Sequence, residues 1–478
     1  MNSTVDESNV VYTKSLSLIE KTKTKIGQNI DQQFFATPSS EISLKILTNI
    51  LNEISDPDVL KPVAPHSLYK FLIRLQDFVQ DIELSTSAHI AWPIVAYWDN
   101  IWFSFLGKDN VHVFYSLTRE HNYSISQYSQ RLKLYLKNIM CQEDIDRIVC
   151  DDIYCLSLAS IEDDNIPLYA NIAHEFGHAL FNNRRLQIET ILIKHFATII
   201  FSISNELKQD ETVRLKIIKR IHHILLRLAS ELLSDLIGAL FAGPAFYLSL
   251  YEMGWGGSKH LWSVKLSPND ENIRSHPGFN FRLGCIRNII DMKDFFQNLR
   301  DEIKRLNMEH LYSALDFIDD IPEGTEEDRV KIHPELDKES QIIQPLLNKY
   351  LHEIKREYEL FLKEYDEIIR REYAPIIEMT SVNPHNVAEL MLRLDKKILP
   401  NIIPTPAEPL LGTPARFQDI LVASSLYRFN LLLKQKSDSD EHITKSAFNS
   451  LSRVERLTMK AIEASFIQQN FKKWNNEG

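Results

Sequence analysis

The segment Asn171–Leu180, with the sequence NIAHEFGHAL, constrains the fold more than any other part of the chain. Its apolar residues are spaced as in a helix that is buried on most sides. Such a helix also carries His174, Glu175 and His178, and buried polar groups of this kind need partners. Gly177 costs a helix about 1 kcal/mol relative to alanine. We therefore expect another part of the chain to approach this helix closely at Gly177.

The two histidines of this segment have the spacing of metal ligands. Because they are four residues apart, both imidazoles lie on one face of a helix, about one turn apart. That separation suits two ligands of a tetrahedral zinc ion. Glu175 would then lie where it can act as a general base toward zinc-bound water. The alternative interpretation is a pair of packed helix histidines beside a surface glutamate.

A catalytic zinc site needs a third protein ligand. One class of enzymes takes it from HExxHxxGxxH, but Phe181 and Arg184 stand at the glycine and last histidine positions here. Another class takes a glutamate from a later helix, and Leu228–Leu240 has a helical pattern. Within it, Glu231 and Asp235 lie on one face, in surroundings too apolar for unpaired carboxylates. We expect Glu231 to be the third ligand and Asp235 to accept a hydrogen bond from a ligating histidine. A carboxylate pair on a surface face is the alternative.

A third element is the segment SHPGFNFRL, which contains His276 and Arg282. His276 precedes Pro277 and Gly278, so the sequence predicts a loop that can bend back over a cleft. Either polar side chain could stabilise the oxyanion of a tetrahedral intermediate. The alternative is a loop histidine without a function.

These three elements, in this order, resemble the catalytic motifs of the gluzincin zinc metallopeptidases. The resemblance is closest to CAAX prenyl endopeptidases and HtpX-type proteases, which carry HExxH, then ExxxD, then His-Pro with an arginine six residues after the histidine. It covers residues 170–283. It implies zinc ligands at His174, His178 and Glu231, a general base at Glu175, and a transition-state role for His276 aided by Arg282.

In gluzincins, an edge strand ahead of the HExxH helix pairs with the substrate backbone. The resemblance suggests this role for the predicted strand Ile153–Ala159, because strand addition is a common way to hold a peptide. A buried interior strand is the alternative. Those relatives are usually embedded in a membrane, whereas the most apolar long stretch here, Leu236–Leu250, is too short to cross a bilayer. We therefore expect no integral membrane association.

Strand patterns cluster near the middle of the chain, at residues 110–117 and 153–159, and helical patterns flank them. The sequence thus predicts an α+β fold that is mostly helical. We expect a zincin-like catalytic core, in which a small sheet accompanies the HExxH helix. The predicted regions are an N-terminal helical region, a metallopeptidase domain and a C-terminal helical region, at 1–89, 90–295 and 296–478.

Charge and cysteine content narrow the functional class. The 478 residues carry a formal net charge of −11, which disfavours a nucleic-acid partner because such binders are usually basic. The four cysteines form no CxxC pair, so free thiols in a reducing compartment are expected. The polar start, Met1–Asn9, lacks the features of a secretory signal. These observations favour a cytoplasmic protein.

The patterns together predict a zinc-dependent endopeptidase that holds one Zn²⁺ per chain. It would hydrolyse peptide bonds of a protein or peptide substrate, with Glu175-activated zinc water as the nucleophile. The helical flanks are where a regulatory partner would dock. Two alternatives stay open. One is a non-catalytic helical scaffold or binding protein with a vestigial zinc site, and the other is a zinc hydrolase of a non-peptide substrate.

Overall fold

Helices carry most of the chain in the computed structural model of this protein, and the strands among the described residues form three small sheets. This confirms the prediction of a mostly helical α+β fold. The structure describes residues 7–32, 35–56, 65–86, 90–106, 110–118, 123–160, 165–254, 259–266, 273–289, 291–320, 328–333, 338–405, 412–434 and 441–476.

The chain divides into two compact units, residues 1–163 and residues 164–478. The described helices of the first unit are α1 (Glu7–Gln32), α2 (Pro38–Glu53), α3 (Pro65–Glu83), α4 (Trp92–Leu106), α5 (Tyr128–Leu136) and α6 (Gln142–Ile148). Its described strands are β1 (Val111–Thr118), β2 (Ser124–Gln127) and β3 (Asp152–Ala159).

The core of the first unit forms where amphipathic helices cover a small sheet. In α3 the buried residues recur every three or four positions, as a helix with one buried face requires: Leu68, Phe71, Leu72, Leu75, Phe78, Val79 and Ile82. They share one hydrophobic cluster with residues of α1 and α2 and with Phe114 and Ile153 of the sheet. The predicted strand at 110–117 is confirmed as β1.

Strand β3 lies in the middle of its sheet, in the order β1-β3-β2. Strand β1 pairs with it in parallel along its whole length, from Val111 opposite Asp152 to Thr118 opposite Ala159. On the other side, β2 pairs with it in antiparallel fashion, with Ser124 opposite Ser157. The prediction that this strand is an edge for substrate pairing is therefore wrong, because neighbours occupy both of its hydrogen-bonding sides. The alternative of an interior strand is confirmed.

The second unit contains the predicted motifs. Its described helices are α7 (Ile172–Asn183), α8 (Arg185–Glu206), α9 (Glu211–Ala242), α10 (Pro244–Met253), α11 (Phe279–Ile289), α12 (Met292–Arg305), α13 (Ser313–Asp319), α14 (Lys338–Lys349), α15 (Leu351–Glu372), α16 (Ala374–Thr380), α17 (Pro384–Asp395), α18 (Phe417–Lys434) and α19 (Glu441–Asn476). Its described strands are β4 (Leu261–Lys265), β5 (Arg274–His276), β6 (Arg329–His333), β7 (Ile402–Ile403) and β8 (Thr413–Pro414).

Helix α9 spans 32 residues of this unit, and its ends follow from local chemistry. At its start, the Asp210 carboxylate accepts hydrogen bonds from the backbone N–H groups of Thr212 and Val213, both at 3.1 Å. At its end, Gly243 adopts a φ of +57°, which favours glycine, and Pro244 begins α10. Helix α9 packs against α7, α8 and α11.

A three-stranded sheet in the order β5-β4-β6 lies in the same unit. Strand β4 runs antiparallel to β5, with Ser263 opposite His276, and parallel to β6. Strand β5 also contacts α9. His276, predicted in a loop, instead ends a short strand, and Arg282 lies on α11. Pairing with β4 sets this conformation, and a strand of three residues is too short to show an alternating pattern.

The two units do not coincide with the three predicted regions. Strand β1, within the predicted metallopeptidase domain, contacts α2 and α3 of the predicted N-terminal region. Beyond residue 295, α12 packs on α17, and α18 packs on α10, α13 and α17. The predicted boundaries therefore cut through packed cores. The strands at 111–118 and 152–159 also belong to a different unit from the HExxH helix.

Among the described residues, one helix is long and apolar enough to cross a bilayer by length and composition alone, namely α8, with a mean hydropathy of 1.4. It packs along one side on α9 and α15. Its outward side exposes Leu186, Ile193 and Phe201. The stretch at residues 236–250, by contrast, is almost wholly buried in α9 and α10. The expected lack of integral membrane association stays a prediction.

Candidate metal centre

The HExxH segment forms a buried helix, as predicted. A 3₁₀ turn at Ile166–Asn171 with Pro167 near its start leads into α7. All of the apolar residues that predicted burial are inside: Ile172, Ala173, Phe176, Ala179 and Leu180. Because these packed side chains fix the position of α7, they also fix the positions of the two imidazoles and the carboxylate on it.

At Gly177 the backbones of α7 and α9 pass close to each other. A Cβ atom added there would lie only 2.3 Å from the Cα of Ser234. Real side chains do not come this close, so only glycine lets the two backbones meet in this way. The predicted close approach at Gly177 is confirmed. It brings the face of α7 with the histidines against the face of α9 with the carboxylates.

Both histidines direct a ring nitrogen toward the Glu231 carboxylate. The Nε2 atom of His174 is 3.8 Å from Oε2 of Glu231, and Nε2 of His178 is 3.6 Å from its Oε1. Zinc bonds of about 2.0–2.1 Å in a tetrahedron would separate ligand atoms by roughly 3.3 Å. The observed distances are close to that value, so these three residues fit a zinc ion by donor type and spacing.

Glu175 belongs to the same cluster. The potential ligand atoms of His174, Glu175 and His178 all lie within 4.8 Å of one another, which is a spacing that could hold a metal ion. Glu175 is buried. The geometry thus offers two carboxylates beside the two imidazoles, one from α7 and one from α9. The roles of ligand and base are divided between Glu231 and Glu175 only by the motif resemblance.

Asp235 lies one turn after Glu231 and is deeply buried, with its side chain 1% exposed. Its Oδ1 atom is 3.0 Å from Nδ1 of His174, on the side of the ring away from Glu231. Arg282 donates two hydrogen bonds to the same carboxylate, from Nε and Nη2, each at 2.7 Å. The surface-face alternative for Glu231 and Asp235 therefore does not hold. Arg282 is engaged with a buried carboxylate in a bidentate ion pair.

His276 reaches the cluster from the sheet. Its Nδ1 atom is 3.2 Å from Oε2 of Glu231, while 58% of its side chain remains exposed. Of the predicted site residues, it is the one that faces solvent most openly. A side chain that touches both the cluster and the solvent lies at the entrance to the cluster.

Burial and charge act in opposite directions on the carboxylates. Burial alone would raise the pKa of Glu231, but His178, His276 and Arg282 together hold that pKa well below its ordinary value. Burial likewise opposes ionisation of Asp235, yet the Arg282 guanidinium, aided by His174, lowers its pKa. Both groups are therefore anionic at neutral pH, as metal ligands and their supporting acceptors should be.

The two histidines titrate differently. Burial lowers the pKa of His178 to about 4, so this imidazole is neutral at pH 7. Burial also disfavours the charged form of His174, but the neighbouring Asp235 outweighs it and raises the pKa of that ring. Arg282 is a permanent cation beside Glu231, whereas His178 carries no charge at neutral pH.

Ser230 is the site neighbour that the sequence did not reveal. Its Oγ atom is 3.2 Å from Nδ1 of His178 and forms a hydrogen bond with it. A serine beside Glu231 carries no pattern that separates it from Ser234, which is on the same helix. His195 and His222 are two further histidines of the helices around the site. They bond to Glu364 and Glu189 and lie outside the cluster.

No family model, curated protein or solved structure matches this chain. The likeness to gluzincin peptidases therefore depends on the three motifs and on no wider similarity.

Proposed function

We propose that this protein is a zinc-dependent endopeptidase of the gluzincin type, with one Zn²⁺ per chain. The observation that supports it is the convergence of His174 Nε2 and His178 Nε2 on the Glu231 carboxylate at 3.8 and 3.6 Å. The zincin-like core would consist of α7, α9 and the sheet β5-β4-β6, all within residues 164–478. The strands of the first unit are no part of it.

When bound, zinc would lower the pKa of water and polarise a substrate carbonyl. His174, His178 and Glu231 would hold it. Glu175 would accept a proton from the attacking water and later deliver it to the leaving amine. His276, exposed at the entrance and 3.2 Å from Glu231, would donate a hydrogen bond to the oxyanion of the substrate.

We assign Arg282 a positioning role. Its guanidinium is bidentate on Asp235, and its Nη2 atom is 3.9 Å from Glu231 Oε2. In this position it neutralises Asp235, which in turn orients His174. This geometry favours a pairing of Arg282 with a buried carboxylate over a direct contact with the transition state.

The test combines metal content with cleavage. Purified protein should contain about one zinc per chain by elemental mass spectrometry. His174→Ala, His178→Ala and Glu231→Ala should each lose most of it, while His222→Ala, on the same helix α9 but bonded to Glu189, should keep it. Glu175→Gln should also keep zinc and lose activity, read out by comparing newly formed protein termini in cells that express either form.

Two outcomes would contradict the proposal. If the wild-type protein contains no zinc after growth in zinc-supplemented medium, the proposed metal centre is wrong. A zinc-loaded wild type whose cleaved termini match those of Glu175→Gln would favour the alternative of a non-catalytic scaffold with a vestigial site.

A further inference from the structure

Ser230 and Asp235 occupy equivalent positions relative to the two histidines. Each lies on α9 next to the Nδ1 atom of one ring, Asp235 at 3.0 Å from His174 and Ser230 at 3.2 Å from His178. In both rings, the other nitrogen, Nε2, is the one turned toward Glu231. Ser230 is itself buried, so water does not readily replace its hydroxyl group.

A neutral imidazole has a single N–H, which sits on one nitrogen and leaves a lone pair on the other. Beside His178, a hydroxyl that can accept or donate lies near one nitrogen, and a carboxylate that can only accept lies near the other. The Ser230 hydroxyl is 3.2 Å from Nδ1, and the Glu231 carboxylate is 3.6 Å from Nε2. If Glu231 held the proton on Nε2, the lone pair would point away from the candidate zinc position. When the Ser230 hydroxyl accepts a hydrogen bond from Nδ1–H, it favours the tautomer that has its lone pair on Nε2.

We propose that Ser230 is a positioning residue, which accepts a hydrogen bond from Nδ1–H of His178 and so keeps the Nε2 lone pair turned toward Glu231. The inference rests on the proposed function, because an open Nε2 serves no purpose without a metal ion. It adds a residue that the motif set does not contain. Removing the hydroxyl frees the ring to adopt the other tautomer or to rotate.

The direct test determines the tautomer of His178 in metal-free protein. Side-chain ¹⁵N–¹H spectra of histidine-labelled protein, with His178→Gln used to assign the signals, should show the Nδ1–H form in the wild type. Ser230→Ala should shift His178 toward the Nε2–H form, and Ser230→Thr, which keeps a hydroxyl, should restore the wild-type pattern. Ser234→Ala is the matched control. Ser234 is buried on the same helix, and its Oγ atom has no hydrogen-bond partner among the described residues.

Zinc affinity provides the second readout, measured by competition with a chromophoric chelator. Ser230→Ala should bind zinc about 10-fold more weakly, with Ser230→Thr and Ser234→Ala near the wild type. An unchanged His178 tautomer in Ser230→Ala, or an equal change in Ser234→Ala, would overturn the inference. A wild type that binds no zinc would instead overturn the proposed function, and the tautomer spectra would still decide whether Ser230 holds the ring.

Discussion

Asp235 and Arg282 carry opposite charges where water hardly reaches. The two hydrogen bonds of 2.7 Å between them satisfy one buried carboxylate with one guanidinium. The motif resemblance gave Arg282 a role in the transition state, and only the side-chain geometry reveals that its partner is Asp235. Residue types in a motif thus limit which groups meet, while their pairing depends on how α9 and α11 pack together.

At this scale, Arg282→Ala should destabilise the fold. It leaves a buried carboxylate without its partner, and breaking such a pair typically costs about 3–5 kcal/mol. Urea unfolding should show this loss, whereas Arg274→Ala, at an exposed position on β5, should change stability little. A stable Arg282→Ala protein with slowed catalysis would return Arg282 to a direct catalytic role.

Asp99 on α4 gives a pH-dependent prediction for the first unit. Burial raises its pKa from 3.8 to about 7, and its Oδ1 atom has no hydrogen-bond partner among the described residues. The folded state therefore binds the Asp99 proton more tightly than the unfolded chain does, so protonation of Asp99 stabilises the fold. This contribution is fully present below pH 3.8 and is lost as the pH rises through 7.

Asp99→Asn should therefore become more stable than the wild type as the pH rises from about 4 to about 7, with a constant gain above that range. Each unit of pKa shift corresponds to about 1.4 kcal/mol, so a gain of a few kcal/mol is the expected scale. Thermal melts across this range measure it, with exposed Asp31→Asn as the control. A gain that does not vary with pH would contradict the assignment.

At the scale of elements, helices were easier to predict than strand neighbours. Apolar spacing indicated buried helices around His174 and Glu231, and Gly177 indicated a close contact, because helix periodicity is local. The central place of β3 depends on its pairing with β1, which is far away in sequence, and the strand at His276 is only three residues long. No local pattern distinguishes an edge strand from an interior one when both are apolar.

Gly177→Ala tests the contact between α7 and α9. The added methyl group would meet the backbone of Ser234, so the helices must separate, and both zinc affinity and stability should fall. Gly27→Ala is the matched control, since a Cβ there meets nothing within 4 Å. In a helix interior this change should be neutral or stabilising by up to about 1 kcal/mol. Equal effects of the two substitutions would argue against a special contact at Gly177.

At the scale of the whole molecule, every candidate ligand belongs to the second of two compact units. Zinc should therefore stabilise residues 164–478 selectively, because a ligand stabilises only the state that binds it. At a free zinc concentration of 100 times Kd, the gain is about 2.7 kcal/mol, or roughly 100-fold slower exchange through unfolding of that unit. Hydrogen exchange with and without chelator should show protection in α7 and α9, with α2 and α3 as internal controls. Equal protection in both units would contradict this.

The candidate centre is also assembled from a short part of the chain. His174, His178, Glu231, Asp235 and Arg282 are all synthesised before residues 283–478. Helices α7 and α9 are separated only by α8, so little chain entropy opposes their meeting. On a ribosome, a nascent chain could therefore join these two helices, and bring the candidate ligands together, while the helices that later cover them are still being translated.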